Sequence, residues 1–332
     1  PEAIRPRNKD ATSRKILMSR RKTKRLSAAP NDVRAAADLL SKGGLVAFPT
    51  ETVYGLGADA TNDLAVAGIF EAKERPSFNP LIVHVATFEA AEELVALSPE
   101  ARDLAMTFWP GALTLVAPLK PDAGISSLVT AGGSTLAIRV PDHPLATALL
   151  KAFGGPVAAP SANPSGRISA TTATHVLAGL EGMIDAVLDG GACPVGLEST
   201  IVATDPAPTL LRAGGIPREE IEACLHRPLM TAEATETPTA PGQLASHYAP
   251  DATLRLNARE ARPDEFLIGF GDIAGDITLS STGDLREAAS RLFSALHEAD
   301  KSGRPIAVAP IPHTGLGLAI NDRLTRAAAP RP

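Results

Sequence analysis

The stretch Gly44–Gly57, GLVAFPTETVYGLG, decides the reading of this chain. Leu45 to Phe48 form a short apolar run that Pro49 breaks, and Thr50, Glu51 and Thr52 follow before Tyr54 and its flanking glycine. A strand that stops at proline and opens into a polar, glycine-flanked turn carries its hydroxyls at the end of a sheet. Open α/β folds place their ligands there. PVAAPSANPSGRIS, from Pro156 to Ser169, repeats the device with Ser161, Asn163, Ser165 and Ser169. Two such turns are expected to face one pocket.

Around these turns the chain alternates helix and strand. Asp32–Lys42 has Val33, Ala36, Ala37 and Leu40 at helical spacing and stops at Gly43-Gly44. Asn62 or Asp63 caps a helix that ends near Lys73 and Arg75. A proline-bounded loop, Pro76 to Pro80 with Asn79, then leads into the strand Leu81–Val85. If this strand neighbours the first, both cations return to the edge that carries Thr50 and Thr52. His84 shares a face of that strand with Ile82, a position that a packed core histidine also fits. Ser98-Pro99 begins a helix that runs to Trp109-Pro110-Gly111. LTLVAPL and STLAIRVP are strands, and Thr135 and Arg139 share one face of the second. An arginine among apolar strand residues is costly unless an anion satisfies it. GLESTIV opens a strand with Ser199, and TLLRAGG delivers Arg212 to a strand end.

From Arg227 to Gly242 the hydrophobic period vanishes, as in a linker. It leads to a His247-Tyr248 pair between prolines. Beyond it EFLIGFG, the amphipathic Asp284–Lys301, PIAVAPI and Leu316–Ala328 give strand, helix, strand, helix, the pattern of a small parallel α/β domain. The expected division is a basic, disordered tail over 1–27, a first domain over 28–227, a linker or lid over 228–250 and a second domain over 251–332.

Composition narrows the function. With 332 residues, 44% of them hydrophobic, there is material for two cores. No apolar run is long enough for a membrane span and no signal-peptide h-region is seen. Two cysteines make neither a disulfide framework nor a zinc spacing, so a cytoplasmic setting is expected. Residues 1–27 hold ten Lys and Arg against Glu2 and Asp10, a local net of +8, which leaves −13 for the rest of a chain whose total is −5. An acidic body argues against broad binding to nucleic-acid phosphates. No phosphate-loop, nucleophile-elbow or H-E-x-x-H pattern is present. What remains is four cations (Lys73, Arg75, Arg139, Arg212) with hydroxyls and amides at strand ends. These suit planar recognition of carboxylate and phosphate, in a reaction that depends on positioning, such as nucleotidyl transfer.

PTETVYGLG, K-x-R at Lys73 and Arg75, NPLIVHV, AIRVP, PSANPSG, GLESTIV and LLRAG, in this order, resemble the YrdC-like domain. With HYAP and a following α/β domain, the whole resembles the two-domain threonylcarbamoyl-AMP synthases over roughly Pro30 to Ala328. The resemblance implies a YrdC-like twisted mixed sheet with flanking helices and a concave pocket, followed by a smaller Rossmann-like parallel α/β domain. It implies that L-threonine, bicarbonate or CO2 and ATP give threonylcarbamoyl-AMP and pyrophosphate, with Mg2+ screening charge. Other proteins then carry the threonylcarbamoyl group to the tRNA adenosine beside the anticodon. Threonine is expected at Thr52, His84, Arg139, Ser199 and the backbone of Ala159. ATP is expected at Arg75, Asn79, Thr135, Ser161, Asn163, Ser169 and Arg212, with Lys73 nearby; Lys73 and Arg75 act electrostatically and no residue is assigned as base. His247 and Tyr248 belong to a lid that excludes water. The family's linker commonly reads P-G-M-x-Y-x-H-Y-A-P; here Ala245 stands where the tyrosine would be, which places that contact to ATP in question. The alternatives are a non-catalytic RNA-binding protein, supported by the basic tail, and a carbamoyl-transfer domain of hydrogenase maturation, which the lack of zinc-finger cysteines disfavours.

Overall fold

The computed structural model describes residues 22–76, 78–232 and 246–330. The chain runs through β1 (Lys24–Leu26), α1 (Pro30–Ser41), β2 (Val46–Phe48), β3 (Gly55–Asp59), α2 (Asp63–Lys73) and β4 (Ile82–His84). There follow α3 (Phe88–Leu94), α4 (Pro99–Phe108), β5 (Leu113–Pro118), β6 (Thr135–Arg139), α5 (Pro144–Phe153), β7 (Val157–Ala158), α6 (Ala173–Leu180) and β8 (Ala186–Leu188). β9 (Thr200–Ala203), β10 (Thr209–Arg212), α7 (Arg218–Leu225) and β11 (Met230–Thr231) complete the first region. The second contains β12 (Leu254–Arg255), β13 (Phe266–Gly269), β14 (Ile277–Thr278), α8 (Leu285–Lys301), β15 (Ile306–Val308) and α9 (Leu316–Ala328).

Local chemistry sets the element ends. The Asn62 side chain accepts from the N–H groups of Leu64 and Ala65 and so caps α2. Ser98 and Asp284 cap α4 and α8 in the same way. Glu74 closes α2 in the left-handed conformation, φ 52°, with the Arg75 N–H on the Phe70 carbonyl at 2.9 Å. That turn aims Arg75 inward rather than letting it continue the helix surface.

The first region forms a mixed sheet in the order β1-β8-β2-β3-β7-β4-β6-β5-β9-β10-β11. One apolar layer lies under α2 and α6, and another, built on Val46, Phe48, Ala186 and Leu188, lies under α1 and α5. Three expectations are corrected here. Residues 24–26 are a strand and not part of a disordered tail: Leu26 is half-buried and β1 pairs in parallel with β8, while Thr23 Oγ1 donates to the Ile184 carbonyl at 2.9 Å. In addition, β2 and β4 are not neighbours, because β3 and β7 lie between them. The cations after α2 reach the Thr50–Thr52 turn across strand ends, not across one ladder. Thr231, expected in the linker, pairs through β11 with β10, so the first sheet extends beyond residue 227.

The second region is a parallel sheet ordered β12-β15-β13-β14, with α8 and α9 packed on it. Val53, Ile168 and Leu197 of the first region share one apolar cluster with Phe293 and Leu296 of α8. The two cores are therefore joined by continuous packing, close to the Thr50–Thr52 turn. Among the described residues no helix is long and apolar enough to cross a membrane.

Candidate active site

The two proline-ended turns interlock. The Leu56 N–H donates to the Pro160 carbonyl at 2.7 Å, the Ala162 N–H to the Tyr54 carbonyl at 2.8 Å, and Gly55 bridges Ser161. Thr50 serves this arrangement from inside: its hydroxyl donates to the Val53 carbonyl at 2.7 Å and accepts from the Thr52 and Val53 N–H groups at 3.2 and 3.3 Å. Thr52 thereby points across the turn, where its hydroxyl accepts from Arg139 Nη1 at 2.9 Å.

One cavity collects most of the expected site. Thr52, Arg75, His84, Arg139, Ala159, Ser161, Ser199, Arg212, His247 and Tyr248 all line it. At one end Arg139, from the tip of β6, donates Nε–H to the Gly111 carbonyl at 3.0 Å and Nη2–H to Glu51. His84 pairs with Arg139 in the β4–β6 register and is edge-on to Phe48 at 6.0 Å, with its Nδ1 buried and unpartnered. Burial and the Arg139 charge push its pKa down to about 3, so this imidazole is neutral at physiological pH. The Ala159 N–H is donated to the Ile82 carbonyl at 2.8 Å, so a ligand here meets the methyl or carbonyl side of Ala159.

Cations converge at the other end. Arg212 leaves β10 and donates Nε–H and Nη2–H to the Ser199 carbonyl at 3.2 and 2.9 Å; the Ser199 hydroxyl lies 2.7 Å from that of Thr114. Arg75 donates to the Asn79 and Pro80 carbonyls at 3.4 and 3.1 Å. Burial lowers its pKa to about 10, which Tyr248 opposes and Arg212 reinforces. The Asn79 amide is fully buried and neither of its polar atoms has a partner. Asn79 does not line the cavity itself; its backbone carbonyl accepts from Arg75, which does.

Other expected residues stand around the cavity without lining it. Lys73 Nζ donates to the Ser161 carbonyl at 2.6 Å and to the Asn163 carbonyl, which fixes the second turn; burial and then Arg75 hold its pKa well below the ordinary lysine value. Asn163 gives its amide hydrogens to the Pro164 and Arg167 carbonyls at 2.8 and 3.0 Å, so its donors shape the turn. The Ser169 hydroxyl donates to Glu198. Thr135 is exposed at the opposite end of β6 from Arg139, and the β4–β6 register sets it level with Asn79 and Pro80.

His247 and Tyr248 form one wall of the cavity. Both are buried, their rings meet at 4.3 Å, and neither the His247 Nδ1 nor the Tyr248 hydroxyl has a partner. Burial, with the charges of Arg75, Lys73, Arg323 and Arg212 after it, keeps His247 neutral. Tyr248 holds φ 61°, an uncommon conformation for a bulky residue and one that accumulates at functional turns. Ala245 lies outside the described residues, as does the stretch before it.

Sequence reasoning missed Glu51 as an internal partner of Arg139, and it missed Glu198 and Arg323. Glu198 Oε2 accepts from Arg323 Nε at 2.8 Å, a residue of the second region. Burial alone would raise the Glu198 carboxyl pKa, but Arg323 and Arg212 hold it below the ordinary value. With Glu51 and Glu198 both tied to arginines, these carboxylates do not fit a resident metal, and no cluster of three His, Cys, Asp or Glu stands together among the described residues.

A mixed sheet with a cavity lined by Arg75, Arg139 and Arg212 and bordered by a His-Tyr turn from the interdomain connection defines an α/β protein whose site carries the cations that suit anionic groups. The Sua5/YciO/YrdC family model, described as telomere recombination, matches residues 38–214, and the model for the threonylcarbamoyl-AMP synthase C-terminal domain matches residues 216–329. The chain is 44% identical to the threonylcarbamoyl-AMP synthase of Bacillus subtilis strain 168, over 93% of this chain and 96% of that one. It is 41% identical to the Pyrococcus abyssi enzyme of the same name, over 90% and 94%. The crystal structure of P. abyssi Sua5 complexed with L-threonine superimposes with a TM-score of 0.84 at 38% identity, covering 92% of this chain and 97% of that one. The chain belongs to the two-domain threonylcarbamoyl-AMP synthase family.

Proposed function

We propose that this protein joins L-threonine, CO2 drawn from bicarbonate, and ATP into L-threonylcarbamoyl-AMP and pyrophosphate, in the cytoplasm, for threonylcarbamoyl modification of tRNA by a downstream transferase. The observation that carries the reading is one cavity lined by two sets of cations, Arg139 beside His84, and Arg75 with Arg212. A carboxylate and a polyphosphate are the two anions such sets suit. The like chain of P. abyssi binds L-threonine.

Threonine places its carboxylate at Arg139, with Thr52, His84, Ser199 and the Ala159 backbone around its hydroxyl and amine. A neutral His84 accepts a hydrogen bond there without repelling the ammonium group. The nucleotide takes the other end: phosphates against Arg75 and Arg212, the Asn79 amide and Thr135 beside them, Ser161 and Ser169 along the second turn. Lys73 and Asn163 act from behind by holding that turn. The threonine ammonium first gives up a proton to water; the free amine then adds to the carbon of CO2 and releases a second proton to water, forming the carbamate. A carbamate oxygen then bonds to the α-phosphorus as the bond to the pyrophosphate oxygen breaks. Positioning two bound reactants lowers such a barrier by up to about 7–11 kcal/mol, so no protein base is assigned. Mg2+ would enter with the phosphates of ATP, since the pocket carboxylates are engaged elsewhere.

The test is binding by calorimetry. Arg139→Ala is expected to weaken threonine much more than ATP, and Arg212→Ala the reverse. Equal losses of both ligands in either variant count against the assignment.

A further inference from the structure

Helix α9 buries Leu316, Ala319, Ile320, Leu324 and Ala327 along one face, and the same helical spacing sets Arg323 on it. This arginine is 0% exposed, the largest fully buried side chain among the described residues. An apolar residue would fill such a place at less cost, so the guanidinium is there for its contacts. All but the one to its neighbour Asp322 reach the first region or the Tyr248 turn. Its Nε–H donates to Glu198 Oε2 at 2.8 Å, Nη2–H to the Ala213 carbonyl at 2.9 Å, next to Arg212, and Nη1–H to Asp322 at 2.6 Å. Its guanidinium carbon lies 5.1 Å from the centre of the Tyr248 ring, which also meets His247 at 4.3 Å and Phe293 at 5.7 Å. Glu198 in turn accepts from the Ser169 hydroxyl through its other oxygen and precedes Ser199 in the chain. The Ser169 carbonyl is also met by the second region, through His297 Nε2 at 3.1 Å.

We propose that Arg323 of the second domain is a positioning residue for the first domain's site: it anchors Glu198, and through it the Ser169 hydroxyl, and braces the Tyr248 ring over the cavity. The nucleotide end is completed only when the two domains are docked. This rests on the assignment of Ser169 to the nucleotide, and the test separates the two.

Arg323→Met in the full chain strands the Glu198 carboxylate, so the decisive protein is Arg323→Met combined with Glu198→Gln. It removes both charges of the Arg323–Glu198 pair, and its amide can still accept from Ser169 with nothing to hold it. Steady-state pyrophosphate release, assayed well below each melting temperature, is expected to show KM for ATP raised about tenfold or more and KM for threonine changed less than about twofold. Arg323→Lys, which keeps the charge but not the forked geometry, is expected between wild type and the double variant. A folded double variant with wild-type KM for ATP overturns the proposal. So does a parallel loss for both substrates, the mark of a merely structural role. If the double variant does not fold, Arg323→Lys decides: an unchanged KM for ATP overturns, a selective rise supports. Ser169→Ala is the control. An unchanged KM for ATP there overturns the nucleotide assignment and the proposal with it; a raised KM there beside a wild-type value in the double variant overturns the proposal alone.

Discussion

Glu51 and Arg139, 88 positions apart, form a buried ion pair at the end of the cavity, with Glu51 Oε2 also accepting the Asp142 N–H at 3.1 Å. The guanidinium assigned to the threonine carboxylate therefore already holds an internal carboxylate. Substrate and Glu51 compete for the same forked donor.

Glu51→Gln removes the competing charge while keeping the shape. The free variant is expected to melt below the wild type, because Arg139 loses its buried counter-ion. Saturating threonine should restore more melting temperature than it adds to the wild type, since a ligand stabilises in proportion to its affinity for the native state. Weaker threonine binding than in the wild type would show that Glu51 organises Arg139 instead of competing for it.

The buried imidazole of His84 makes a pH prediction. Its folded pKa, about 3, lies far below the ordinary value of 6.5. The unfolded chain therefore binds the proton more readily. The stability this gives is fully present above pH 6.5 and is lost as the pH falls from there toward 3. The slope reaches up to about 1.4 kcal/mol per pH unit for one such group. Urea denaturation between pH 7.5 and 4.5 should show this decline, and His84→Gln should make it shallower. An equally steep decline in the variant removes His84 as its source.

Gly214 sits where the end of the β9–β10 hairpin folds back on itself. A Cβ there would come within 2.3 Å of the Glu198 carbonyl and 2.4 Å of the Ser199 backbone. Gly214→Ala must push Arg212 away from Ser199. A loss of about 1–3 kcal/mol is expected from such overpacking, with weaker ATP binding alongside it. Denaturation and calorimetry on one preparation check both, and unchanged ATP affinity would detach Arg212 from the nucleotide.

The His247-Tyr248 turn lines the cavity, and the proposed product is a mixed anhydride prone to hydrolysis. His247→Ala should increase the fraction of product lost to water before release, measured as AMP formed per pyrophosphate. An unchanged ratio would mean that the turn does not protect the product.

Much of this site was legible because its chemistry sits at strand ends marked by prolines and glycines. The Pro49 and Pro160 turns are readable as a pair and do interlock, Arg139 is readable as an arginine too expensive to bury without an anion, and Arg212 as a cation delivered to a strand end. The helices α8 and α9 followed from period alone. Strand order was not legible: nothing local in Val46–Phe48 or Ile82–His84 says that β3 and β7 come between them. Lys24–Leu26 was hidden by its charges, since an edge strand tolerates Lys and Arg on its exposed side. Glu198 and Arg323 are 125 positions apart in different domains, and only docking brings them together. The one local signal was Arg323 itself, a charge on the apolar face of α9.

The central claim is tested most directly by pyrophosphate release from ATP with and without L-threonine and bicarbonate, with mass-spectrometric detection of the adduct in the same reaction. Release that requires both co-substrates, with threonylcarbamoyl-AMP present, is the predicted result. Release that is indifferent to threonine, or absent while threonine and ATP both bind, would contradict it.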